Sequence, residues 1–176
     1  MKPDEEAWFV MRAIYRSETA MADKLIAAGM NVFLPMEQRI EQRNGVNKRI
    51  ESPVLSGVVF VKATMRELKP IMELNSRLQY TYRRGSTAHD PLVVPERQMT
   101  DFIRAVETAE HPLYLTPDEL DLKAGTKVRM IDGPLKGVEG TFQRVKGRRS
   151  RRLVVTIPSM LSVAVEVQPD FVEVIK

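Results

Sequence analysis

Arginines and tyrosines, rather than catalytic side chains, carry the chemistry legible in this sequence. There is no cysteine and there are only two histidines, His89 and His111. Disulfides, thiolate nucleophiles and cysteine-based zinc sites are therefore excluded. His89-Asp90 resembles a metal phosphohydrolase pair, but that chemistry needs several further histidines. Both histidines sit in proline-bearing loops and read as surface polar residues. Gly133, Gly137 and Gly140 precede a strand pattern rather than a helix, so they make no phosphate-cradling loop. No catalytic, cofactor or metal site is expected, and the chain does not read as an enzyme.

Two basic groups remain. The first is Arg12, Arg16, Lys24, Arg77, Arg83 and Arg84, with Tyr15, Tyr80 and Tyr82 interleaved. Cations that meet phosphates and rings that stack on unpaired bases suit single-stranded nucleic acid, where stacking is worth ~1–3 kcal/mol per base. The alternative is a solvated face with ordinary ion pairs, Arg16 with Glu18 for instance. The second group is Lys146, Arg148, Arg149, Arg151 and Arg152, the densest charge in the chain. It falls on a turn between two strand patterns and suits RNA, a ribosomal protein or an acidic surface; the alternative is a solubilising turn.

The elements that must hold these residues follow from periodicity. Of 176 residues, 43% are hydrophobic, enough for a packed core. The polar, acidic start of the chain lacks the pattern of a signal peptide, and no apolar run is long enough to span a membrane. A cytoplasmic protein is expected. Trp8 to Ile14 reads as a buried strand, and Ser17 is the candidate N-cap of a helix closed by Gly29. Asn44-Gly45 predicts a type I′ hairpin within 36–52, whose arms are polar on both faces and should project from the core. Gly57 to Val61 is a second buried strand. Met65, Leu68 and Met72 suggest a helix that Pro70 kinks or splits. Gln79 to Tyr82 reads as a strand, and Pro95 opens a helix carrying Met99, Phe102, Ile103 and Val106 at helical spacing.

The segment 110–121 holds Pro112, Pro117 and four acids without a base, and is read as a linker. Beyond it, five short strand patterns suggest a small barrel. Residues 122–176 carry 11 Lys+Arg against 5 Asp+Glu, whereas residues 1–121 carry 16 against 18. The whole-chain charge of +4 is thus concentrated in the second part.

Lys123 to Gly140, KAGTKVRMIDGPLKGVEG, resembles the KOW motif at Gly125, Val128, Met130, Gly133, Pro134, Leu135, Gly137 and Gly140. The first part resembles the N-terminal (NGN) domain of NusG-type transcription elongation factors. Trp8-Phe9-Val10 matches its opening strand and Val32 to Pro35 its F-x-P strand end. Pro53 to Val61 matches P-L-F-P-G-Y-V-F-V, and Pro91 to Pro95 matches P-x-x-V-P. Gln98 to Arg104 and Leu113-Tyr114-Leu115 are similar to the UpxY-type antiterminators of capsular polysaccharide operons, relatives of RfaH. Three departures stand out: Leu55, Ser56 and Val58 replace the family's Phe, Pro and Tyr. The His-Thr-Thr gate-loop contact of RfaH aligns near Lys69-Pro70-Ile71 and is not carried over.

The resemblance implies an α+β chain. An NGN domain over 1–109, an antiparallel sheet flanked by helices, is followed by a linker over 110–121. An all-β, SH3-like five-stranded KOW barrel occupies 122–176. It further implies binding to the clamp helices of RNA polymerase, suppression of pausing or termination, and contact with non-template DNA or nascent RNA. Ribosomal protein S10 or Rho would be the partner of the barrel. Phe9, Val32, Leu34, Leu55, Val58 and Phe60 are the implied polymerase contacts, with core packing as their alternative. A monomer acting on one or a few operons is expected. A general factor serving Rho or the ribosome, or a ribosome-associated RNA-binding protein, are the competing readings.

Overall fold

The first strand is apolar and buried on both faces, and one of those faces builds the core under two helices. Strand β1 (Ala7–Ala13) pairs antiparallel with β5 (Val58–Ala63), placing Phe9 opposite Val61 and Met11 opposite Val59. Cross-strand partners share a face. Phe9, Met11, Ala13, Val59, Val61 and Ala63 therefore form one apolar surface, all buried. Helix α1 (Glu18–Ala27) covers it with Met21, Ala22 and Leu25, and α2 (Met65–Leu74) with Leu68. The computed structural model describes residues 1–86, 89–121 and 123–176. Leu122, the expected first residue of the second domain, lies outside these.

The remaining strands of this unit are β2 (Asn31–Phe33), β3 (Met36–Arg43), β4 (Val46–Pro53), β6 (Leu78–Tyr80) and β7 (Val93–Val94). The main sheet runs β2-β5-β1-β6, and β7 also pairs with β1. Strands β3 and β4 form a separate two-stranded sheet, the expected hairpin, with Asn44 (φ 51°) and Gly45 (φ 77°) at its tip. Both left-handed residues are what a type I′ turn requires.

The helix ends follow local chemistry. Helix α1 closes in a Schellman arrangement: Met30 N–H donates to Leu25 O and Gly29 N–H to Ile26 O. Ser17 stands at the N-cap but makes no capping bond; its hydroxyl donates to Ile14 O at 2.6 Å instead. Helix α2 opens with a capping box between Thr64 and Glu67 and continues through Pro70 as one helix. Of the two expectations at Pro70, a kink or a split, the split does not occur.

The chain divides into two compact units, Met1–Pro95 and Glu96–Lys176. The second contains α3 (Glu96–Thr108), β8 (Leu113–Leu115), β9 (Thr126–Met130), β10 (Glu139–Arg144), β11 (Arg151–Ile157), β12 (Leu161–Val165) and β13 (Val172–Val174). Its sheet is antiparallel, ordered β13-β9-β10-β11-β12-β8. All five expected strands form, and β8 is an addition. Prolines and acids dominate the composition around Leu113 to Leu115, which is why the sequence predicts a linker there. The apolar run Leu113-Tyr114-Leu115 nevertheless pairs with the edge of β12, Tyr114 opposite Val163. A 3-10 turn at Pro117–Glu119 follows.

Helix α3 lies against β11 and β12. The composition shift at residue 110 thus falls later than the division between the compact units. The Cβ-free backbone of Gly140 explains one motif glycine: a Cβ there would collide with Val154 O on β11. Arg104 in α3 donates to Pro134 O (3.1 Å) and Lys136 O (2.9 Å) in the turn before β10. Glu139 accepts from Arg97 (2.9 Å) and Arg129 (2.7 Å), and its own N–H donates to Asp101. Burial raises the Asp101 carboxyl pKa, and the Glu139 N–H, Arg97 and Arg104 partly offset it. The hydrogen bond from Arg129 holds Glu139 below its usual value.

Candidate functional site

The turn that follows β1 is built against a steric penalty. Tyr15 (φ 58°) and Arg16 (φ 54°) are consecutive non-glycine residues in the left-handed region. Each such residue costs about 1–2 kcal/mol. Backbone strain of this kind persists only where surrounding bonds over-determine it. Here Ser17 Oγ donates to Ile14 O, Ile14 N–H donates to Arg77 O (3.0 Å), and Ala13 N–H donates to Gly57 O (2.9 Å). Glu18 is buried, and its carboxylate accepts the Gly57 N–H at 2.8 Å. Its carboxylate thus anchors the 54–57 loop rather than serving as a surface partner for Arg16.

The product is an exposed ring. Tyr15 is 79% accessible, and the Arg77 guanidinium lies 5.8 Å from its ring centroid. Arg12 stands opposite Val58 and Gln79 in the sheet. Arg12, Tyr15, Arg16 and Arg77 therefore gather at one end of the sheet. Leu55 and Val58 reach the same end, because Gly57 is bonded to both Ala13 and Glu18. Leu34 precedes the β3–β4 hairpin, whose base is tied by the Val54 N–H to Pro35 O bond (2.8 Å), and it packs against the α1/α2-covered core instead.

The rest of the expected basic set is elsewhere. Lys24 occupies the last turn of α1, roughly 9 Å along the helix from its start. Strand β6 runs away from Tyr15, so Arg83 and Arg84 lie about 20 Å further along an extended chain than Arg77. There Arg83 N–H donates to Asp90 O, and Ser86 Oγ bonds the Asp90 carboxylate. Tyr82 stacks between Tyr80 (6.3 Å) and the exposed His89 (5.7 Å, edge-on). Burial, with Tyr82 beside it, raises the Tyr80 phenol pKa.

Among the implied polymerase contacts, Val32, Leu34, Leu55 and Val58 are half-buried. Phe9 and Phe60 are not accessible at all. Phe9 packs in the α1/α2-covered core, and its ring is 5.6 Å from that of Tyr80. Neither phenylalanine offers surface to a partner, which corrects their expected role. Aromatic residues on a central strand match the family pattern whether they face a partner or the core.

In the second unit, Lys146, Arg148, Arg149 and Arg151 are exposed on the β10–β11 hairpin. Arg152 is not part of that surface. Its side chain is 9% accessible and its guanidinium bonds Glu166 on the neighbouring chain segment at 2.6 Å, leaving Nε without a partner. Arg144, passed over in the sequence, instead joins the exposed cations by standing directly opposite Arg151. Strand register supplies the signal, since residues flanking a hairpin turn pair across it. Gly125, Gly133, Pro134, Gly137 and Gly140 frame the β9–β10 connection, where Gly137 N–H donates to Met130 O and Met130 N–H to Val138 O.

Among the described residues, no three His, Asp or Glu side chains form a group that could hold a metal ion. No helix is long and apolar enough to cross a membrane. Fold and surface together define a mixed α/β protein of two units, each with a cation-rich turn at a sheet end or hairpin. A family model described as NusG, transcription termination factor, matches residues 6–103. The chain belongs to this family of transcription termination/antitermination factors. It is 28% identical over 177 aligned positions to the transcription termination/antitermination protein NusG of Pseudomonas aeruginosa, covering 94% of this chain and 97% of that one. It is also similar to a solved structure titled as domain interaction in Thermotoga maritima NusG, at TM-score 0.49 and 18% identity, covering 99% of this chain and 100% of that one.

Proposed function

We propose that this chain is an operon-specific transcription antitermination and elongation factor that binds RNA polymerase through its first unit. The observation that carries this reading is the convergence at one sheet end. Half-buried apolar residues Leu55 and Val58 stand beside the exposed Tyr15–Arg77 stack and the cations Arg12 and Arg16. An apolar patch of this kind suits the groove between two helices, such as the polymerase clamp helices, with a few anchors supplying most of the energy. The adjoining cations and ring suit the exposed non-template DNA strand. The functional domains are then a polymerase-binding NGN domain over 1–109, supported by the family match through residue 103, and a KOW domain over 122–176. The latter recruits ribosomal protein S10 or Rho. Working on the polymerase places the protein in the cytoplasm.

The specialised role rests on Leu55, Ser56 and Val58, which replace bulkier family residues at the contact, and on the UpxY-like run from Gln98 to Arg104. The nearly full-length match to the Pseudomonas NusG favours a second reading, a general factor serving all operons. Chromatin occupancy of the tagged protein separates them. Enrichment over one or a few operons is expected, and uniform enrichment over transcribed genes would establish the general role. Core polymerase should retain the full chain; a polymerase column that fails to retain it would remove both readings.

A further inference from the structure

The β10–β11 hairpin accumulates charge that its own unit leaves uncompensated. Arg144 and Arg151 are directly cross-strand from each other. Like charges so placed are destabilising unless an anion lies between or beside them. Val145 is buried and holds the base of the turn, and Arg148 N–H donates to Val145 O at 3.0 Å. Beyond that anchor Lys146 to Arg151 are all exposed. Among the described residues, no carboxylate bonds Arg144, Lys146, Arg148, Arg149 or Arg151, whereas Arg129 and Arg152 both have one.

We propose that this hairpin binds the sugar-phosphate backbone of a nucleic acid without reading its sequence. Four of the five cations are arginines, whose planar forks match phosphate oxygens in pairs. Residues 143–152 contain no aromatic side chain, so no ring is available to stack on a base. The exposed tip also lacks an apolar anchor, which a protein partner would need as the centre of its interface. Phosphates need neither. Arg144 and Arg151 end the two arms and Lys146, Arg148 and Arg149 occupy the turn beyond them, enough together to meet several phosphates of one strand. This surface belongs to the second unit alone and is independent of polymerase binding, so it can be tested on the free protein.

The test is fluorescence anisotropy of the full chain with labelled single-stranded RNA, single-stranded DNA and duplex DNA across a salt series. Five phosphate contacts by the hairpin contribute about −3.5 to the log–log salt slope, or roughly a 100-fold loss of affinity over a fourfold rise in salt. The double variant Arg148→Ala, Arg149→Ala should reduce that loss to roughly 20-fold. The double variant Arg148→Lys, Arg149→Lys should keep the wild-type slope. Removing the same charge from the β3–β4 hairpin, Lys48→Ala with Arg49→Ala, should also leave it unchanged. Affinity should not depend on base sequence, and the tighter of RNA and DNA identifies the strand used. The proposal is overturned if the Arg148/Arg149 alanine variant keeps the full slope, or if the Lys48/Arg49 variant lowers it equally. Absence of oligonucleotide binding at about 50 mM salt also overturns it. Binding of poly-glutamate in that case would identify an acidic protein as the partner.

Discussion

Phe9 separates packing from recognition at the scale of a residue. It matches the family's opening strand, yet it is fully buried beneath α1 and α2. Phe9→Ala should therefore cost about 3–5 kcal/mol of stability, measured by urea unfolding. A variant with an unchanged urea midpoint and lost polymerase binding would return Phe9 to the contact surface. Asp101 behaves oppositely to a surface carboxylate. Burial is the main cause of its raised pKa. The folded state then holds its proton more tightly than the unfolded state, so stability falls as pH rises through that interval. Above it, the charged carboxylate is a standing cost. Asp101→Asn keeps an oxygen for the Glu139 N–H and should raise the urea midpoint at pH 7. The gain should disappear as pH falls below the carboxylate range; a gain that persists in acid would show that charge is not its cause.

At the scale of elements, the two hairpins contrast. The β3–β4 ribbon forms its own sheet, and its residues Ile40 and Val46 are exposed. A lone two-stranded sheet is marginal in water. Gly45→Val places a β-branched residue at φ 77°, which it rarely tolerates. Hydrogen exchange of the ribbon amides should accelerate while the global melting temperature stays within about 2 °C, because that ribbon contributes little to the core. The β10–β11 hairpin is instead part of a six-stranded sheet, where Gly140 packs against Val154 O. Gly140→Ala should lower global stability by about 1–3 kcal/mol, read from the urea midpoint.

At the scale of the whole molecule, the two proposed activities are assigned to separate compact units. Sites without shared partners act additively. Leu55→Asp should abolish retention on core polymerase yet leave the salt slope of oligonucleotide binding unchanged. The Arg148→Ala, Arg149→Ala variant should do the reverse. If either variant impairs both activities, the proposed division of labour is wrong.

Strand and helix identity was legible because it depends on near neighbours. The Asn44-Gly45 turn, the α3 periodicity and the five later strands each rest on local conformational preference. The basic turn was legible for the same reason. Local composition misjudged Leu113 to Leu115, whose strand exists only because β12 offers an edge for it to pair with. It also misjudged Phe9, Phe60 and Arg152, whose burial depends on residues far along the chain. Only the tertiary structure brought Arg77 to Tyr15, Glu18 to Gly57 and Arg144 to Arg151. By itself, then, the sequence determined the order and kind of the elements and the charge they carry. Which side chains face each other, and which of them remain accessible to a partner, was decided by long-range register and packing, which no local pattern encodes.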